Sequence, residues 1–197
     1  MFYHHFIKRR DGMKRIIGLL LVLLLLSGCS ENADQMDRAL SLRSKLQQKA
    51  VSFDTVLTAD YGDKHYTFAM KCEADTIGNL KFTVTEPQSV AGITGSISKG
   101  SGKLTFDDKV LTFDTLADNL ISPVTGPWVL METLKGGYLT SSTLEGQLLR
   151  LGIDDSYEEN ALHLDIWLND GDLPQRSEIF WQCRRLLSME VKSFTFL

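Results

Sequence analysis

The chain has 197 residues, with 21 basic and 25 acidic side chains and a formal net charge of −4. That balance excludes a general nucleic-acid binder, which needs surplus cations to displace counterions. The length fits one domain after a short leader. Three cysteines without Cys-x-x-Cys spacing imply no metal site.

The N-terminus carries the layout of an export signal. Lys8, Arg9, Arg10, Lys14 and Arg15 form a basic region, and Ile16 to Leu26 is apolar apart from Gly18. That run is 11 residues long, whereas a membrane span needs about 20. Leu26-Ser27-Gly28-Cys29 follows and resembles the lipobox of bacterial lipoproteins. The resemblance implies cleavage before Cys29, acylation of its thiol, and a lipid-anchored chain on the extracytoplasmic side of the cell membrane. Met13 is an alternative start, since Met13-Lys14-Arg15 begins a more typical signal. The expected organisation is a signal peptide over 1–28, a tether over 29–33 and one domain over 34–197. The mature part holds 16 basic and 24 acidic residues, a net of −8. That surface opposes a polybasic grip on anionic lipid, so anchoring rests on Cys29 and its acyl chains.

Asp34 to Lys49 reads as a helix, with Met36, Ala39, Leu40, Leu42 and Leu46 near helical spacing and Asp34 as N-cap. From Val51 the period becomes two. Val51, Phe53, Thr55, Leu57, Ala59 and Tyr61 share one face, then Tyr66, Phe68, Met70, Cys72 and Ala74, then Leu80, Phe82 and Val84. A strand around Ile93 to Ile97 and a hairpin about Asp107-Asp108 follow. Asp114 to Thr140 breaks the alternation. Thr115 to Ala117 and Trp128 to Leu134 are expected as short helices. Strands resume at Leu144 to Ile153, Leu162 to Leu168, Glu178 to Cys183 and Met189 to Phe196. The expected fold is α+β: a strongly curved antiparallel sheet, an open half-barrel. Its concave face is covered by the N-terminal helix and the helical insert.

This order resembles the LolA/LolB superfamily of lipoprotein carriers and receptors. The cues are Leu80 to Pro87, LKFTVTEP, and Leu173 to Phe196, LPQRSEIFWQCRRLLSMEVKSFTF. With its own lipobox, the chain is also similar to the GerS germination lipoproteins of spore-forming bacteria. That likeness implies a non-enzymatic accessory protein binding a cell-wall amidase. The wider superfamily implies instead a carrier or receptor for lipid or lipoprotein acyl chains. The partners are therefore the membrane, through Cys29, and either a cell-wall hydrolase or a lipid.

The side chains offer little catalytic chemistry. Ser96-Ile97-Ser98-Lys99 has Ser-x-x-Lys spacing, but no Lys-Thr-Gly or Ser-Asp-Asn follows, so a flexible hairpin is expected. Gly95 to Gly102 lacks the Gly-Lys-Ser/Thr ending of a phosphate loop. His163 and Asp165 share one strand face without a neighbouring nucleophile, as a solvated face does. Asp154, Asp155, Glu158 and Glu159, like Asp170 and Asp172, miss the calcium-loop spacing. No cofactor is implied. The candidate apolar cavity is lined by Phe53, Leu57, Tyr66, Phe68, Met70, Leu80, Phe82, Leu164, Ile166 and Trp181, and a packed core is the competing reading. Cys72 and Cys183, both placed on apolar strand faces, are a candidate disulfide or two buried thiols.

Overall fold

The computed structural model describes residues 30–62, 64–99, 101–106, 109–114, 116–117 and 120–197. Cys29, the segment before it that is expected to be an export signal, and Asp107-Asp108 lie outside the described residues. The described residues open with α1 (Ser30–Gln48) and continue through β1 (Val51–Asp60), β2 (His65–Ala74), β3 (Leu80–Glu86), β4 (Thr94–Ser98), β5 (Ser101–Phe106) and β6 (Lys109–Asp114). A small hairpin follows, β7 (Leu116–Ala117) with β8 (Leu120–Ile121), then a 3-10 turn (Pro123–Thr125) and α2 (Gly126–Gly136). The second half is β9 (Tyr138–Glu145), β10 (Leu148–Asp154), β11 (Leu162–Leu168), β12 (Pro174–Trp181) and β13 (Arg184–Phe196).

Eleven strands form one antiparallel sheet in the order β6-β5-β4-β3-β2-β1-β13-β12-β11-β10-β9. Each half is a meander of sequential hairpins, and the β1–β13 pair joins them, Val51 opposite Phe196. The two ends of the order never pair, so the sheet stays open. It is rolled nonetheless. Lys135 on α2 donates from Nζ to the Asp75 carbonyl, in the turn after β2, at 2.5 Å. Two residues on, a Cβ on Gly137 would fall 2.6 Å from Ile153 Cγ2 of β10. Strands β2 and β10 stand five places apart, about 24 Å in a flat sheet. One end of one short helix meets both only if the sheet curls around it. Register shifts at Asp54/Thr55, Ala69/Met70, Gly152/Ile153, Trp167/Leu168 and Ile179/Phe180 supply bends. The α+β half-barrel expected from the residue pattern is the architecture found.

The alternation of β1 holds along its whole length, with Val51, Phe53, Thr55, Leu57 and Ala59 buried. Four local expectations need correction. Helix α1 begins at Ser30, so Asp34 lies a turn inside it and is no N-cap. No Gly or Pro in Ser30 to Ala33 stops the helix sooner. Its buried stripe is Gln35, Leu42 and Leu46, while Met36 and Leu40 stay exposed, because α1 meets the domain along a narrow seam. Of the helix expected at Thr115 to Ala117, Thr115 lies outside the described residues, and Leu116–Ala117 pairs as a strand. Three residues are too few to repay helix nucleation. Leu144 to Ile153 is two strands, divided at Gly146, whose φ of +65° is the left-handed conformation glycine takes freely. Finally, β12 stops at Trp181, and Cys183 sits in the β12–β13 turn with φ +63° rather than on a strand face.

Candidate binding sites

The rolled sheet turns its apolar face inward, and α2 lies in the hollow. Phe53, Leu57, Met70, Leu80, Phe82, Leu164 and Ile166 are buried. They form one cluster with Val129, Leu130, Met131 and Leu134 of α2 and with Leu42 and Leu46 of α1. The helix presses on the sheet at Gly126, where a Cβ would meet Leu57 Cδ1 at 2.7 Å and Leu187 Cδ1 at 3.0 Å. Most of the candidate cavity residues therefore line a filled core. Three do not share that burial. Phe68 and Trp181 are half-buried, and Tyr66 is 43% exposed. Tyr66 sits at the start of β2 and packs in an aromatic trio with Tyr61 and Phe68, at centroid distances of 6.4 and 6.5 Å. A gap of about 20 Å³ remains among Ala39, Leu134, Leu151 and their neighbours, room for about one water.

Polar contacts hold α2 in place. Its last carbonyls lack partners within the helix. Arg43 of α1 donates to the Leu134 carbonyl at 3.0 Å and the Gly137 carbonyl at 2.7 Å, and Gln47 donates to the Lys135 carbonyl at 3.1 Å. Trp128 Nε1 donates to the Gly78 carbonyl at 2.9 Å, and Tyr61 Oη to the Ile121 carbonyl at 2.6 Å. Beside the helix opens a pocket of about 380 Å³ lined by Trp128, Val129, Glu132, Thr133, Asp155 and Leu162. Burial pushes the Asp155 carboxyl above the usual aspartate range, although the Leu162 N–H donates to it at 2.9 Å.

On the outer face of β9–β13 the charged side chains satisfy one another. Arg150 grips Asp165 with two bonds, 3.0 and 2.7 Å, and Glu145 with a third, 2.9 Å. Trp167 Nε1 donates to Glu145 at 2.8 Å, which with Arg150 holds that carboxyl below the usual glutamate range. The Trp167 ring lies between the guanidinium groups of Arg150 (5.5 Å) and Arg176 (4.5 Å). Arg176 and Arg185 share Glu178. His163 places Nδ1 2.7 Å from Asp154 and Nε2 3.5 Å from Asp165. The structure thus brings His163 and Asp165 together, but Asp165 belongs mainly to Arg150. Asp172 is likewise engaged, by Arg38 of α1 at 2.6 Å.

The other half of the outer face is different. Across β1 to β6 it forms a groove of about 910 Å³. Cross-strand register builds its floor: Asp54 faces Lys71, which faces Thr83, then Thr94, then Thr105. The next row runs Ser52, Glu73, Lys81, Ser96, Lys103. Ser96 of the Ser-x-x-Lys spacing is therefore a strand residue between two lysines.

No family model matches the chain, and no curated protein matches it. Solved structures do resemble it. A DUF1329 family protein from Desulfovibrio piger is 9% identical with a TM-score of 0.49, covering 84% of this chain and 92% of that one. A LolA superfamily protein from Nitrosomonas europaea is 8% identical, TM-score 0.41, over 81% of this chain and 93% of that one. The Mycobacterium tuberculosis lipoprotein LppX is 12% identical, TM-score 0.41, over 84% and 96%.

The two thiols stay apart. Cys72 is buried on β2, facing Phe53, which faces Phe194, while Cys183 is exposed just before Arg184. The length of β13 separates them, about 30 Å, far beyond disulfide reach. Burial and the nearby Asp54 push the Cys72 thiol well up. No described helix is long and apolar enough to cross a membrane. The Arg150–Trp167–Arg176 stack and the lysine groove escaped sequence reasoning, because each is assembled from strands distant in sequence.

Proposed function

We propose that this chain is a membrane-anchored extracytoplasmic accessory protein, lipidated on Cys29, that docks a protein partner on the outside of its sheet and performs no catalysis itself. The occupied interior carries this reading. Leu57, Leu80, Leu130, Leu164 and Ile166 are 0% exposed, so the middle of the inner face is filled, and the uncovered apolar surface lies at its rim, at Tyr66 and Phe68. The outer face offers Arg150, Arg176 and Arg185, with side chains 39–50% exposed and held in place by Asp165, Glu178 and Trp167. Ordered arginines beside a tryptophan are the residue types that anchor protein interfaces. The partner class implied by the GerS resemblance is a cell-wall hydrolase acting in spore germination.

The test is cross-linking of the full chain in its native membrane, with mass spectrometry of the joined peptides. A cell-wall hydrolase joined near Arg176 and Arg185, and lost from the R176A/R185A variant, is the expected result. Stoichiometric co-purified lipid with no joined protein would overturn it. That outcome would favour the second reading, carriage of acyl chains. One observation supports carriage: the pocket of about 380 Å³ opens beside α2 and is lined both by Trp128 and Val129 of that helix and by Leu162 of the apolar sheet.

A further inference from the structure

We infer that the groove across β1 to β6 is a binding site for an anionic glycan chain, a site separate from the arginine surface assigned to the protein partner. The lysines carry the inference. Among the described residues, the arginines of β10, β12 and the start of β13 that face outward are paired with carboxylates: Arg150 with Glu145 and Asp165, Arg176 and Arg185 with Glu178. Lys71, Lys81 and Lys103 are exposed, and among the described residues no carboxylate stands within 4.0 Å of their amines. This is so although Asp54 faces Lys71 and Glu73 faces Lys81 across the ladder.

The spacing suits an extended ligand. Lys81 and Lys103 flank Ser96 from either side, so they stand about 10 Å apart. Lys71 is diagonal to Lys81, about 7–8 Å away. On a glycan bearing an acid on every sugar, alternate charges fall at comparable intervals. The rest of the lining decides between polyanions. Serine and threonine hydroxyls both donate and accept, and Asp54 and Glu73 only accept. Sugar hydroxyls donate to those two carboxylates and so offset their repulsion of the glycan's acids, whereas a polyphosphate, ionised along its length, has no hydroxyl to offer them. The acidic charge of the whole chain does not oppose this, because screening confines each charge to about 8–10 Å at ordinary salt.

The experiment is calorimetric titration of the full chain in neutral detergent with three probes: oligogalacturonate, neutral maltohexaose and sodium polyphosphate. Oligogalacturonate is expected to bind, to weaken with added salt, and to lose about tenfold in affinity in the K71Q/K81Q/K103Q variant, as expected for three exposed ion pairs. The variant should keep the parent's melting temperature, and K45Q on α1 should bind like the parent. Absence of oligogalacturonate binding, equal binding by the triple variant, or polyphosphate binding as tightly as the acidic glycan would each overturn the assignment. None of these outcomes touches the R176A/R185A test.

Discussion

Arg43 of α1 caps α2 by donating to the Leu134 carbonyl at 3.0 Å, and its other arm reaches Gly137 at 2.7 Å. Helix α1 thus closes the end of the helix that fills the barrel. Replacing Arg43 with Met keeps the packing stem and removes both bonds. The expected loss is about 2–3 kcal/mol, the cost of charge-assisted bonds to otherwise unpaired carbonyls. Urea unfolding should show a lower midpoint with an unchanged slope. R43K, which can keep one bond, should fall between.

Leu130 is 0% exposed at the centre of the plug. Leu130→Ala should cost about 2–5 kcal/mol, transfer and cavity together. A small apolar probe such as benzene should recover part of the lost melting temperature, because a dry apolar cavity binds such molecules. If the substitution costs nothing, α2 is not seated on the sheet.

Asp155 should give stability a pH dependence of defined sign. Burial raises its folded pKa above the unfolded value. Its contribution is therefore present below the unfolded pKa and is lost as pH rises through the raised folded value. Asp155→Asn keeps an oxygen for the Leu162 N–H and removes the charge. The variant should match the parent in acid and exceed it in stability at neutral pH, with a flatter profile between. Thermal melts from pH 4 to pH 8, about the ordinary carboxylate and neutral ranges, check this.

The thiols should differ in reactivity. Cys183 is exposed and Cys72 is buried with its thiol pushed up. Native alkylation should label Cys183 and spare Cys72, which should react only after unfolding. Protection of both until a reductant is added would mean that they are bonded.

The parts that were legible in sequence are those set by local periodicity. Strand β1 shows its buried face at every second residue; Leu162 to Leu168 alternates in sequence, although Asp165 and Trp167 on its outer face are buried as well. Strand β9 escaped because it is an edge strand with mostly exposed side chains, so no apolar alternation marks it. Cys183 was misplaced because a turn residue can follow a strand without breaking its alternation. Phe68 and Tyr66 continue the apolar pattern of β2 but lie toward its open end, where less of the structure covers them.

By itself, the sequence determined the basic–apolar–Cys29 pattern of the N-terminus, the change of period at Val51 and the inward apolar face of β1, β2 and β3. These depend on neighbours a few residues apart. Only the tertiary structure decided that the hollow is filled by α2, that Cys72 and Cys183 lie at opposite ends, and that, among the described residues, Arg150, Arg176 and Arg185 are paired with carboxylates while the groove lysines are not. Those outcomes depend on register and roll, which bring Asp75 to Lys135 and Arg150 to Asp165. A period of two tells which way a side chain points and nothing of what meets it there.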